Sequence, residues 1–208
     1  MMAAFEYMLK DFVAKTIDAT SAFDDKIKSQ EWLSITTERV LAQRVVQTSI
    51  GSTLIHPTLG WHSPETVNER YKAIFNISPI DGNEIRTLST LWILRHSVAH
   101  NAGIVTAHDA ARINQPALAE RVAHIDDAFI AQSFEFLKGI AIRIADRGGK
   151  SVLGHWFKTV RDYGINYPRD EAAYARIRQL ATCIQSRTQP LPVTTEVMYQ
   201  ADWATYTH

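Results

Sequence analysis

Arg95, His96 and His100 stand at the end of the run LWILRHSVAHNAG, residues 91–103, directly after four apolar residues. A helix that only fills a core has no use for that ending. An arginine keeps its charge near neutral pH and offers a planar fork of donors that fits phosphate oxygens. A histidine can take or give a proton near neutrality. Together they suit cleavage of a phosphodiester. On an ideal helix a five-residue step is a turn of about 140°, so Arg95 and His100 are not aimed at one small target by the helix alone. Two arrangements would reunite them: a helix that loosens at Asn101-Ala102-Gly103, or a site shared between two copies of the chain. The competing assignment is a surface arginine and a helix-terminal histidine that suits the macrodipole.

Other clusters carry less. His96 and His100 are four apart, a spacing that can hold zinc, with His108 and Asp109 as further donors, but the Glu of an HExxH helix is missing. The GGKS at 148–151 has Ile144 where a phosphate loop needs its first glycine. His56, Trp61 and His62 could stack on a base or simply anchor a loop. Cys183, the only cysteine, sits in a helical pattern and reads as packing. It excludes an internal disulfide and a cysteine-rich zinc module.

The elements that must position these residues read as helices. Apolar positions at spacings of three and four predict a helix over 3–28 and a second over 32–55. A loop follows at 56–65. Ser63 is placed to N-cap and Pro64 to occupy the first turn of a short helix ending in VNERYKAIF. SPIDGNE interrupts the chain, and the motif helix runs over 85–100. Asn101 and Gly103 predict its stop, with glycine relieving a left-handed end. A further helix is expected over 117–147, ended by Gly148-Gly149, then two more over 151–164 and 170–187, and an aperiodic tail. The fold class is all-α: residues 1–147 form a helical domain, 148–188 a basic helical extension and 189–208 a C-terminal tail.

Lysine plus arginine equals aspartate plus glutamate, 22 each, but the charge is uneven. Residues 138–187 hold ten basic and four acidic side chains, a net +6 that leaves −6 on the rest. Such a segment can attract a polyanion, and Lys150, Lys158 and Arg161 are its candidate contacts. The N-terminal MMAAFEYMLKDF lacks a clean apolar core and does not predict a signal peptide. With no long uncharged apolar stretch, no membrane span is expected, and a cytoplasmic location fits.

Arg95-His96-Ser97-Val98-Ala99-His100 resembles the R-x(4–6)-H motif of the HEPN superfamily, in which a polar residue follows the arginine. His100-Asn101-Ala102-Gly103 is similar to the H-N-x-G ending of many bacterial members. The resemblance implies a HEPN-like helical bundle that pairs as a homodimer. It also implies a metal-independent endoribonuclease with no cofactor, of the kind found in toxin–antitoxin and antiviral defence systems, with RNA as substrate and an antitoxin or defence partner. Arg95 would hold the scissile phosphate, His100 would act as acid or base, His96 would support them, and Asn101 would join in binding substrate. The alternative is a non-catalytic HEPN-like dimerisation or nucleic-acid-binding module of a larger system.

Overall fold

The computed structural model describes residues 1–44, 48–56 and 59–162, without the side chains of 153 and 155–162. The second helix expected in the extension, Cys183 and the tail lie outside the described residues. The fold is all-α, with one short pair of strands. Its helices are α1 (Met2–Ala19), α2 (Asp24–Lys28), α3 (Thr37–Ala42), α4 (Ile50–Leu54), α5 (Pro64–Phe75), α6 (Gly82–His100), α7 (Ala107–Arg112) and α8 (Asp127–Asp162). Between α6 and α8, β1 (Ile104–Val105) pairs antiparallel with β2 (Arg121–Val122), Ile104 opposite Val122.

Several helices begin where small polar residues supply caps. Ser63 accepts a hydrogen bond from the Thr66 amide and starts α5 as expected, with Pro64 in the first turn. Several other boundaries differ from the expectation, three of them for a local reason. The helix expected over 3–28 breaks at Thr20, whose backbone is extended and whose hydroxyl accepts from the Ala22 amide. The helix expected over 32–55 is three pieces: a turn of 3-10 helix at Glu31–Leu33, then α3 and α4, capped by Thr36 and Ser49. A hydroxyl that satisfies a free amide at such a point competes with helix continuation. The helix expected over 117–147 starts ten residues late, where Asp126 Oδ1 accepts from the Phe129 amide at 2.7 Å. The residues before it complete the strand pair.

The core lies where α1, α5, α6 and α8 meet. Leu9 and Val13, Val67 and Ile74, Leu88, and Ile140 and Ile144 are fully enclosed. Each large apolar side chain buried this way contributes about 1.5–3 kcal/mol. Phe12 stacks on Tyr71 and meets Phe75 edge-on. The Tyr71 hydroxyl donates to the Leu9 carbonyl at 2.9 Å, and burial pushes its phenol pKa well above the ordinary value. At the start of α6, Glu84 accepts from the Asp81 amide and forms an ion pair with Arg143 of α8.

Gly148 and Gly149 do not end α8. The helix runs through them, and the expected boundary after residue 147 falls inside it. Gly148 is there because a Cβ would lie 2.6 Å from Cζ of the buried Phe12 ring. Gly139, on the same helix, has open space around it. The same substitution therefore has opposite signs at the two positions. Gly139→Ala gains about 0.5–1 kcal/mol from lost unfolded-chain freedom. Gly148→Ala costs about 1–3 kcal/mol because the Phe12 ring is wedged among other aromatics. Thermal melts followed by circular dichroism test this; a Gly148→Ala protein as stable as Gly139→Ala would contradict the close approach.

Candidate functional site

The middle of α6 holds four buried side chains in a row. Leu91, Trp92, Ile93 and Leu94 are consecutive, and all are enclosed. Leu91 and Trp92 face the main core, and Leu94 packs with Val105 and Ala110. The next turn leaves the core, with Arg95 half-buried and His96 and His100 exposed. The helix stays intact through His100: the amides of Asn101 and Gly103 both donate to the Ser97 carbonyl at 2.9 Å. The left-handed conformation expected at glycine falls on two residues, Ala102 (φ 52°) and Gly103 (φ 84°). The second bond closes a wider loop than the first, through the left-handed pair Ala102-Gly103.

Arg95, His96 and His100 all line one cleft of about 830 Å³. The helix reaches that cleft without loosening before His100. The His96 and His100 rings lie 4.9 Å apart between centroids, tilted by 45°. The opposite wall is the segment from Gly60 to Thr66, including the first turn of α5, and Asp109 and Arg112 of α7 close a third side.

Each wall is held from behind. Trp61 is fully enclosed and packs edge-on against Trp32 and Tyr71. The Arg70 guanidinium stacks on both Trp32 and Trp61, and burial lowers its pKa, partly offset by Glu69. Trp61 therefore anchors the loop and is not open to a base, whereas its neighbour His62 reaches the cleft. His62 Nδ1 lies 3.6 Å from Glu6 Oε2, and Glu6 Oε1 pairs with Lys10 at 2.8 Å. On α7, Thr106 caps the helix and donates its hydroxyl to Asp109 Oδ2, and Asp109 Oδ1 lies 3.7 Å from Arg112.

Arg95 and Arg112 share the cleft with the carboxylates Glu65 and Asp109. Arg112 already has a carboxylate beside it. Arg95 has none: among the described residues its guanidinium meets neither a carboxylate nor an aromatic face. A half-buried cation with no counter-charge favours an incoming anion. Among the described residues the indole Nε1 of Trp92, which lines the cleft, and the Ser97 hydroxyl also have no hydrogen-bond partner.

The other expected contacts lie elsewhere. Asn101 ends α6, and its carbonyl accepts from the Ile104 amide, but it does not line the cleft. Lys150 lies on α8 and pairs with Asp146. The side chains of Lys158 and Arg161 are outside the described residues. Within the basic stretch, Lys138 pairs with Glu135, Arg143 with Glu84 and Arg147 with Asp81. Each described cation there thus has an acidic neighbour, which weakens the field that the charge count suggests. His62, Arg112 and the first turn of α5 were not assigned to the site from sequence. The T-x-x-D of Thr106–Asp109 is a start signal that places Arg112 on a helix, but nothing in the sequence turns that helix toward α6.

The chain matches no family model, no curated protein and no solved structure.

Ser97 gives a check on the helix end. Its hydroxyl is enclosed and unpaired among the described residues. Ser97→Ala removes a stranded polar group and installs a better helix former, a gain of about 1 kcal/mol. For a chain of this size that is a rise of roughly 2–4 °C in melting temperature, read by calorimetry. A fall of the same size would mean that the hydroxyl has a partner.

Proposed function

We infer that the chain is a metal-independent endoribonuclease of the HEPN type, acting in the cytoplasm in a toxin–antitoxin or antiviral defence setting. One observation carries most of the weight: Arg95, half-buried and without a counter-charge among the described residues, shares a cleft with His96 and His100. The R-x4-H spacing and the H-N-x-G continuation support the same reading. So does the helical setting, in which the motif ends a long helix with its middle turn enclosed.

In this mechanism the Arg95 guanidinium holds the scissile phosphate and offsets charge as it builds on the phosphoryl oxygens. The ribose 2′-oxygen attacks phosphorus and gives up its proton. The bond from phosphorus to the 5′-oxygen breaks, and that oxygen takes a proton. The products are a 2′,3′-cyclic phosphate and a 5′-hydroxyl. His100 carries one of these protons, and His96, its ring neighbour, holds it in place. The chain works as a homodimer. In support, Val98, Ile104, Val122 and Phe134 are exposed apolar side chains on the last turn of α6, the strand pair and the early turns of α8. A second copy would cover them.

The test is incubation of the purified protein with total RNA in excess EDTA, with cleavage sites mapped and ends analysed. Cleavage is expected to persist and to leave cyclic phosphates. A folded His100→Ala protein should lose about 10²–10⁴-fold in rate, the usual share of a positioned acid or base. Arg95→Lys should also be impaired, because a point charge does not replace a planar fork. Undiminished cleavage by folded His100→Ala removes the role given to that histidine.

A further inference from the structure

Arg95 lines a second hollow as well. On its other side, a groove of about 630 Å³ is walled by α1, α3, α4 and the segment up to His56. One stripe of α1 faces it: Ala3, Tyr7, Lys10, Asp11 and Ala14, at helical spacings of three and four. The groove and the cleft share a partition. Arg95 belongs to both, and Glu6, which lines the groove, meets His62, which lines the cleft.

The polar groups of the groove are largely occupied with one another. The Gln43 amide donates to the hydroxyls of Thr48 and Thr53 and accepts from the Thr48 amide. Glu6 holds Lys10, and Asp11 holds Lys15. What remains open to a ligand is mostly apolar wall, lined also by the Arg95 cation, which pairs with no carboxylate among the described residues, and by Tyr7, 68% exposed. The volume lies within the range of small-molecule sites, and a hollow of this kind suits a flat body attached to an anion. A nucleoside next to a phosphate has that form.

We propose that this groove is a nucleoside subsite: with a phosphate of the RNA on Arg95, the nucleoside on one side of it enters the groove and stacks on Tyr7, while the chain on the other side continues into the histidine cleft. The proposal rests on the nuclease reading for its substrate class. Because the polar walls are already paired, contact with the base is through its face and not its hydrogen-bonding edge. The subsite therefore accepts any of the four bases, and affinity comes from stacking.

The test uses the full chain and two readouts. The first is binding of a fluorescein-labelled thymidylate decamer, which has no 2′-hydroxyl and cannot be cleaved, followed by anisotropy. The second is KM for RNA cleavage. Tyr7→Ala is expected to weaken binding and raise KM by about fivefold to a hundredfold, the range of one base–aromatic stack, with kcat little changed. Tyr7→Phe should stay within about twofold of the wild type, since the ring and not its hydroxyl makes the contact. Ala42→Trp, at an exposed position of α3 on the groove wall, should block the hollow and weaken binding without touching the partition. Thermal melts confirm that each variant is folded. If the protein cleaves RNA but Tyr7→Ala and Ala42→Trp keep wild-type affinity and KM, the subsite is wrong and the nuclease stands. If the decamer binds with the expected pattern but no RNA is cleaved, the groove stands and the nuclease falls. A wild-type protein that does not bind the decamer overturns the subsite outright.

Discussion

The rest of the molecule depends on the enclosure of one helical turn. Leu91 to Leu94 are all buried: Leu91 and Trp92 pack in the main core and Leu94 against Val105 and Ala110, while Trp92 and Ile93 also line the cleft. A helix gripped this way cannot roll or slide without opening cavities, and interiors packed at crystal-like density resist that. The turn that follows inherits the grip. Arg95, His96 and His100 are set on a rigid rod whose far end is tied to α8 through Glu84 and Arg143. The loop anchored by Trp61 and the capped α7 line the cleft beside that turn. Precise placement of charged and proton-carrying groups requires such support from behind.

The sequence conveyed the helical class and the motif helix because both are strong periodic signals. It conveyed the start of α5 because Ser63 and Pro64 state it locally. It failed where apolar spacing continued across a cap. Thr36 and Ser49 lie inside a run that looks continuous by period, yet each satisfies a free amide and restarts the helix. The two-residue strands were too short to show alternation. The glycine pair at 148–149 misled for another reason: its meaning lies in Phe12, more than a hundred residues away, which no local rule can see.

The site was partly legible for similar reasons. Residue types named Arg95, His96 and His100 as the chemistry, and the structure puts all three on one cleft. The turn of about 140° between Arg95 and His100 on the helix still stands, and the cleft they share is wide enough to be lined by both. Counting charges suggested a basic face along α8, but the ion pairs with Asp81, Glu84, Glu135 and Asp146 could be seen only in three dimensions. His62 and Arg112 come to the cleft from segments distant in sequence, and only packing brings them there.

The partition between the two hollows has a consequence for the shape of any strand that crosses it. In a double helix, neighbouring bases lie face to face with no room for a protein side chain between their sugars. Here the Arg95 side chain and the Glu6–His62 contact stand between the two hollows, which on the proposed path take successive nucleotides. A strand laid over that ridge has to splay, and splaying is cheapest where bases are already unpaired. On the proposed path, duplex RNA is turned away by geometry before any base is recognised, and loops, bulges and frayed ends are what the surface admits.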